Sequence, residues 1–373
     1  MEKIIVGMSG GVDSSVALYL LRKHGYEVEG VSFMLYEARL RRVFAKSSCC
    51  SVEVMNDARK TAESLGVRHT VVDLRGVFME KVIEPFINAY AKGITPNPCI
   101  LCNKHIKFPY LSKIANEKGF KFIATGHYAR VMHRLESRVQ SPELRDKDLL
   151  LKGIDEKKDQ SYVLYVLKRK ELERLVLPLG EKRKDEVREI AQSLKLPAAK
   201  RHESQEICFI EDKNYFKLLD NISEPAEGPI INIETGKVIG SHKGVHLYTI
   251  GQRKRIPAMG KPVYVVKIDI SKNAVYIGPR EAAMMKSFEV EEVNWLIGRS
   301  RLSVHASPIT HNSFRASVKV RSTMKDEPAT VSIINENKIT VVFDEPQWAP
   351  APGQSAVFYD GDIVIGGGVI AKQ

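Results

Sequence analysis

The sequence predicts an α/β protein: a doubly wound parallel sheet first, then two small, mostly β domains, the last a β-barrel. Three observations predict this. The first two hundred or so residues alternate apolar strand runs with amphipathic helical stretches, the mark of repeated βα units. A glycine-rich turn joins the first strand directly to the first helix, in Met8-Ser9-Gly10-Gly11-Val12-Asp13. Beyond Asn221 helical periodicity fades, and short alternating strands separated by turn residues take over. The expected domains are residues 1–204, 205–283 and 284–373, in keeping with a prior of roughly 150 residues per domain.

Lys3 to Met8 is a continuous apolar run, as expected of a strand covered on both faces. Asp13 to His24 reads as a helix with Val16, Leu20 and Leu21 on one stripe and Gly25 as its stop. Val28 to Leu35 is the second strand. A helix from Val52 to Leu65 ends at Gly66, and His69 to Leu74 is the third strand. A helix from about Val77 to Ala91 stops before Gly93, a further helix is expected from Lys104, and Phe120 to Thr125 is another strand. In the later part, Ile230 to Ile233, Tyr264 to Ile270 and Ala274 to Ile277 read as strands, with a turn at Glu234-Thr235-Gly236-Lys237. The last block adds Ser317 to Val320, Thr330 to Ile334, Ile339 to Phe343 and Ala356 to Tyr359. The chain contains neither an internal repeat nor a low-complexity tract.

The 57 Lys and Arg against 45 Asp and Glu leave a formal charge of +12, which points to a polyanionic partner, nucleic acid first. Met1-Glu2-Lys3 enters a strand at once, which reads as no signal peptide, and no apolar run reaches membrane-spanning length. The expected location is therefore the cytoplasm. The five cysteines, Cys49, Cys50, Cys99, Cys102 and Cys208, are then mostly reduced, and metal or catalytic roles suit them better than a disulfide framework.

The turn Ser9-Gly10-Gly11 follows a strand and opens a helix. Glycines admit positive φ and close approach to a ligand, and successive N–H groups at a helix start make a nest for an anion. Ser9, Ser14 and Ser15 add hydroxyls. No Lys follows the glycines, so this is not a Walker loop. Asp13 suggests a metal ion beside a bound pyrophosphate. Pro96, Pro98 and the spacing Cys99-x-x-Cys102 form a second unusual stretch, and Cys208 stands far downstream between Ile207 and Phe209. A helix starting at Lys104 puts Cys102 near its N-terminus, which favours a thiolate, and Lys104 and His105 act the same way. Half a zinc site on Cys99 and Cys102, a merely buried Cys208, and an iron–sulfur cluster on Cys99, Cys102 and Cys208 are the competing readings.

Ser9-Gly10-Gly11-Val12-Asp13-Ser14 resembles the pyrophosphate-binding loop of the ATP pyrophosphatases, which split ATP between the α- and β-phosphates and attach AMP to a substrate oxygen. The wider pattern resembles the tRNA-specific 2-thiouridylases nearly end to end. It covers Gly7 to Ser15, Asn97-Pro98-Cys99 with Cys102-Asn103, Thr125-Gly126-His127-Tyr128, Lys158-Asp159-Gln160-Ser161, Ile207-Cys208-Phe209-Ile210, Gly251-Gln252-Arg253-Lys254, Phe343-Asp344-Glu345-Pro346 and Pro352-Gly353-Gln354-Ser355. The resemblance implies an adenine nucleotide α-hydrolase-like catalytic domain, ATP and Mg²⁺ as cofactors, and sulfur replacing the C2 oxygen of a wobble uridine in tRNA. It implies a nucleotide site of Gly7, Met8, Ser9, Gly10, Gly11, Val12, Asp13, Ser14, Ser15, Met34 and Gly126. It implies a persulfide on Cys208, supplied by a sulfur-relay protein or cysteine desulfurase, whose terminal sulfur, or hydrosulfide released from it, attacks C2; Cys102 either releases this sulfur, leaving a Cys102–Cys208 disulfide, or serves as general acid/base. Contacts to the tRNA anticodon region fall to Asn97, Pro98, Cys99, His127, Lys158, Asp159, Gln160, Arg321, Ser322 and Gln354.

The basic runs Arg39-Leu40-Arg41-Arg42, Lys168-Arg169-Lys170, Lys182-Arg183-Lys184 and Arg253-Lys254-Arg255 add general attraction for phosphate, although any one such run is more often a solvated face. Cys49 and Cys50 receive no role.

Overall fold

The computed structural model describes residues 1–36, 52–133, 148–200, 208–209, 226–297 and 312–372. Cys49, Cys50, the Arg39–Arg42 run and the expected boundary at 204/205 lie outside these residues. The chain groups into two compact units. The first holds residues 1–83, 98–213 and 362–364, and the second holds 84–97, 214–361 and 365–373.

In chain order the first unit contains β1 (Lys3–Gly7), α1 (Val12–Lys23), β2 (Glu27–Met34), α2 (Val52–Ser64), β3 (Arg68–Asp73) and α3 (Arg75–Phe78). Helix α4 (Glu84–Ala91) belongs to the second unit. The first unit resumes with α5 (Pro98–Cys102), α6 (Phe108–Glu117), β4 (Phe122–Ala124), β5 (Ala129–Met132), β6 (Leu149–Lys152), α7 (Arg169–Leu172), β7 (Leu175–Val176) and α8 (Lys184–Ser193). Five strands form one parallel sheet in the order β3-β2-β1-β4-β7. The apolar run of β1 explains its central place: Ile4, Ile5 and Val6 are fully buried, so both faces are covered. Ile4, Val6 and Met8 pack with Leu18 and Leu21 of α1 and Ala58 and Ala62 of α2. On the other flank of α1, Val16, Ala17 and Leu20 pack with Leu179, Val187, Ala191 and Leu196. The chain leaves β1 to build β2 and β3 on one side and returns to build β4 and β7 on the other. The carboxyl ends of β1 and β4 therefore flank a topological switch point, where open α/β sheets bind ligands.

Two expected helices differ in detail, for one reason. The helix expected from Lys104 starts at Pro98, because a proline at the first helical position has its φ preset and no N–H to leave unsatisfied. Cys102 therefore lies at the fifth position of a helical run, and Cys99 lies in the first turn. The helix expected over Val77–Ala91 is α3, a π-helical segment Met79–Ile83, and α4. A second π-helical segment, Asn103–Lys107, follows Cys102. Each π segment runs up to a proline inside the helical path, Pro85 or Pro109. A proline ring clashes with the carbonyl four residues back, and widening the coil relieves the clash.

The second unit holds β8 (Gly228–Asn232), β9 (Val238–His242), β10 (Tyr264–Asp269) and β11 (Ala274–Gly278) in a sheet ordered β10-β11-β8-β9. Ile230, Val265, Val275 and Ile277 form its core. It then forms β12 (Met284–Trp295), β13 (Ser313–Lys319), β14 (Glu327–Ile333), β15 (Lys338–Trp348), β16 (Ser355–Asp360) and, from Ile365 on, β17 (Ile363–Ile370). These six run antiparallel in the order β12-β15-β14-β13-β16-β17, and β12 pairs with β17 to close a barrel. Phe288, Val290, Phe314, Val331, Val341 and Phe343 point into it and are buried. Closure leaves no sheet edge open along these strands.

Candidate active site

The glycine turn lies at the carboxyl end of β1. Met8 fixes its base: its N–H donates to Val31 O at 2.7 Å, and its carbonyl accepts from Ser32 Oγ at 2.8 Å. Gly10 has φ +68°, and a Cβ there would stand 2.2 Å from Val54 O, so the position requires glycine on two counts. Gly11 precedes α1 in an extended conformation, with no side chain capping the helix. The turn closes on itself through its serines. Ser9 N–H donates to Ser14 Oγ at 3.2 Å, Ser14 Oγ donates to Gly11 O at 3.1 Å, and Ser15 Oγ donates to the same carbonyl at 2.9 Å. Ser9 is exposed, whereas Ser14 and Ser15 are buried. The result is a braced turn whose first-turn N–H groups lack a side-chain cap, an arrangement suited to an anion. Met34 ends β2 and accepts Leu74 N–H at 2.9 Å.

Thr125-Gly126-His127-Tyr128, at the end of β4, ties this turn to the cysteine helix. A Cβ on Gly126 would stand 2.8 Å from Asp13 C and Ser14 N, so only glycine lets the two loops meet. Tyr128 OH donates to Asp13 Oδ1 at 2.7 Å. His127 is buried, and its ring stacks on Phe108 with centroids 5.8 Å apart. Its Nε2 lies 3.4 Å from Lys107 Nζ, and its Nδ1 lies 2.7 Å from Thr125 Oγ1. An ammonium can only donate, so Nε2 accepts, and the ring proton sits on Nδ1, facing the threonine hydroxyl. Burial, reinforced by the Lys107 charge, holds the His127 pKa well below the usual 6.5, so the ring is neutral.

Lys184, from α8, completes the turn's surroundings and was not singled out in the sequence as a site residue. Its Nζ donates to Asp13 Oδ1 at 2.6 Å and Oδ2 at 2.8 Å, and stands 5.4 Å from the Tyr128 ring centroid. Its N–H donates to Asp155 Oδ2 at 3.0 Å. Only 7% of Lys184 is exposed, so within the basic run Lys182-Arg183-Lys184 this residue faces the site and not a solvated face. The available signal was the N-terminal pattern of α8, where Arg183 N–H donates to Glu186 Oε2 at 2.6 Å and Val187 and Ala191 form the apolar stripe.

The cysteine helix is fixed by Asn103, buried beside Cys102, whose Nδ2 donates to Val163 O at 2.9 Å. Cys99 is exposed, and Cys102 and Cys208 are half-buried. Phe209 is buried edge to face on Phe78, directly before the Met79–Ile83 segment against which α5 packs. Both thiols thus have neighbours anchored on one short segment. Among the described residues no three His, Cys, Asp or Glu side chains gather closely enough to hold a metal. The iron–sulfur and zinc readings of these cysteines therefore gain no support from the described residues.

Gln160 braces the same hub. Its Oε1 accepts Tyr128 N–H at 2.9 Å, and its N–H donates to Tyr128 O at 2.8 Å. Asp159 accepts Gly153 N–H, Ser161 N–H and the Ser161 hydroxyl, which holds the turn that carries half-buried Lys158. In the second unit, Gln354 Nε2 donates to Thr95 O at 3.0 Å, and Thr95 N–H donates to Pro352 O at 2.9 Å, two residues before half-buried Asn97. Arg321 Nη2 donates to Ile250 O at 2.9 Å and Ala349 O at 2.7 Å, which secures the loop that carries exposed Arg253 and Lys254. Ser322 beside it is exposed, and Pro98 is buried.

The tRNA methyl transferase HUP domain family matches residues 2–212, its PRC-barrel domain residues 217–279, and the aminomethyltransferase beta-barrel domain residues 285–370. The chain is 43% identical over 376 residues to the tRNA-specific 2-thiouridylase MnmA 2 of Thermoanaerobacter sp. (strain X514), covering 100% of this chain and 98% of that protein. It is 41% identical over 375 residues to the tRNA-specific 2-thiouridylase MnmA of Clostridioides difficile (strain 630), covering 100% and 99%. Among solved structures, a 4-thiouridine synthetase–RNA complex with bound ATP is similar at 18% identity and TM-score 0.34, over 53% of this chain and 42% of that one.

Proposed function

The chain belongs to the tRNA-specific 2-thiouridylase family, and from that premise we propose how its own residues carry out ATP-dependent 2-thiolation of a tRNA uridine in the cytoplasm. The observation that carries the reading is the 125–128 segment. One short stretch touches the loop acid, through Tyr128, and the cysteine helix, through His127 and Lys107. These contacts support a reading in which nucleotide activation and sulfur delivery are coupled.

A uridine C2 carbonyl is a poor electrophile, and its oxygen is a poor leaving group. The glycine turn holds the pyrophosphate end of ATP against the start of α1, while Met34 and Gly126 border the nucleoside. The C2 oxygen attacks the α-phosphorus, pyrophosphate leaves, and AMP is now attached to the base. Cys208 carries a persulfide received from a sulfur-relay protein or cysteine desulfurase. Its terminal sulfur attacks C2 and AMP departs, leaving a disulfide link between Cys208 and the base. The Cys102 thiolate attacks Cys208 Sγ. The base keeps the sulfur, and a Cys102–Cys208 disulfide remains for a dithiol reductant to reset. Neutral His127 positions the hub through its two ring nitrogens. Asp13, whose carboxylate is engaged here by Lys184 and Tyr128, is the residue that would hold Mg²⁺ together with ATP phosphate oxygens, and the ion would offset their charge.

The catalytic part is residues 1–204, with 205–283 as a small central domain and the barrel from 284 contacting tRNA. Half-buried Asn97 and exposed Cys99 face the target base with buried Pro98 shaping the turn between them, Lys158 lines the approach from the turn that Asp159 and Gln160 brace, and Arg321, Ser322 and Gln354 serve the barrel surface. An anticodon-loop base can be splayed out to reach such a site. Among the described residues no helix is long and apolar enough to cross a membrane.

The test uses purified chain, unmodified tRNA, ATP and a persulfide donor, and reads pyrophosphate, AMP and 2-thiouridine. Cys102→Ser and Cys208→Ser each abolish thiolation and leave ATP binding intact. Full thiolation by either variant would sink the relay. AMP formation at an undiminished rate without tRNA points instead to an adenylating enzyme of a small metabolite.

A further inference from the structure

The glycine turn lacks the lysine that a Walker loop places on the terminal phosphates, yet the fold brings one there. Lys184 opens α8, 171 residues beyond Asp13 in sequence, and its ammonium grips both Asp13 oxygens. That position opposes a charge twice over. It is buried, and it is the first residue of a helix, where the backbone dipole is positive. Asp13 and the Tyr128 ring face offset this cost.

Welding α8 to α1 does not require the pair, because Val16, Ala17, Leu20, Val187 and Ala191 already bury that interface. A buried ion pair seldom stabilises more than apolar residues of similar volume. A cation kept beside an anion-binding turn under these conditions has a use for its charge.

We infer that Lys184 is the phosphate-binding cation of this site: its ammonium neutralises the β- and γ-phosphates of ATP, and Asp13 and Tyr128 hold it at the turn. This rests on the reading of the turn as an ATP site. As the nucleotide enters, the ammonium is shared between the Asp13 carboxylate and the phosphate oxygens, and no bond is made or broken.

The test is calorimetric titration of the full chain with ATP, AMP and inorganic pyrophosphate, with thermal melting as a control. Lys184→Met weakens ATP and pyrophosphate by about ten- to a hundred-fold, as expected for one charge-assisted contact, and leaves AMP within about twofold. Lys184→Arg retains most of the affinity. Should Lys184→Met fail to fold, Asp13→Asn combined with Lys184→Met leaves no unpaired buried charge and is compared with Asp13→Asn alone. A further loss of about tenfold or more for ATP but not AMP supports the inference. Equal ATP affinities in those two variants, or parallel losses of ATP and AMP, overturn it and leave Lys184 as an ion-pair strut. A wild type that binds neither ATP nor pyrophosphate overturns the reading of the turn, and the inference with it.

Discussion

Phe209, the residue after Cys208, meets Phe78 edge to face with ring centroids 5.8 Å apart, directly before the segment that supports the Cys102 helix. The placement of Cys208 is therefore coupled to that of Cys102 through aromatic packing. Phe209→Ala removes a fully buried ring and costs about 3–5 kcal/mol where the site cannot collapse. We expect a lower melting temperature and a steep fall in single-turnover thiolation, with ATP affinity nearly unchanged. Phe209→Leu, which preserves more volume, gives a smaller loss in both readings.

Gly126→Ala places a methyl against the backbone of Asp13 and Ser14, which cannot yield as a side chain could. Overpacking of about 1–3 kcal/mol that displaces the start of α1 weakens ATP by about tenfold or more. Gly76→Ala meets nothing within 4 Å and is the matched control, with unchanged affinity. The comparison is made by titration with ATP, and equal behaviour of the two variants refutes the close approach.

His127 is held neutral by burial, so acidification acts on stability in a defined direction. In the unfolded chain the ring takes up a proton as pH falls through its ordinary 6.5, whereas the folded protein resists protonation. Stability contributed by the neutral ring is fully present above that value and declines as pH drops below it. His69 and His242 are shifted down as well, burial being the main cause, and add to the same slope. We expect the melting temperature to fall between pH 7.5 and 5.5, on the order of the ordinary histidine range. His127→Asn should show a shallower fall over that interval.

Arg253 and Lys254 project from the loop that Arg321 secures, and both are exposed. If they contact tRNA phosphates, each contributes about 0.9 to the slope of log affinity against log salt. Filter binding of Arg253→Ser combined with Lys254→Ser should show that slope reduced by up to about 2, with the weakening uniform across tRNA species.

Much of the fold was legible because its signals were local. The apolar run of Lys3–Gly7, the glycines at 10 and 11 and the alternating strands of the barrel each declare their own conformation. Strand β7 is two residues long, too short for periodicity to register, whereas β4 lies inside the apolar run Phe120 to Thr125 that marked it. Strands β12 and β17 carry Lys286, the Glu289–Glu292 region and Gly366–Gly368, which interrupt simple alternation, and barrel closure decides their state. The glycine turn and the paired cysteines stood out in the sequence because glycine and cysteine have few other reasons to occur in such patterns. Lys184 did not stand out, because a lysine among basic neighbours looks solvated until the fold reveals the carboxylate opposite. Nor could the sequence state that His127 has both ring nitrogens engaged by Thr125 and Lys107, since the second partner comes from a separate helix.

Residues 125 to 128 each answer to a different neighbour: a hydroxyl for the imidazole, an open α-carbon for the turn, a ring for the cysteine helix and a phenol for the loop acid. Their spacing works as a ruler. One inserted or deleted residue would put every subsequent group out of phase, whereas a conservative exchange at one position spoils a single tie. Natural variation here should therefore preserve length more strictly than identity, and a library that varies loop length across the chain should find this stretch the least forgiving.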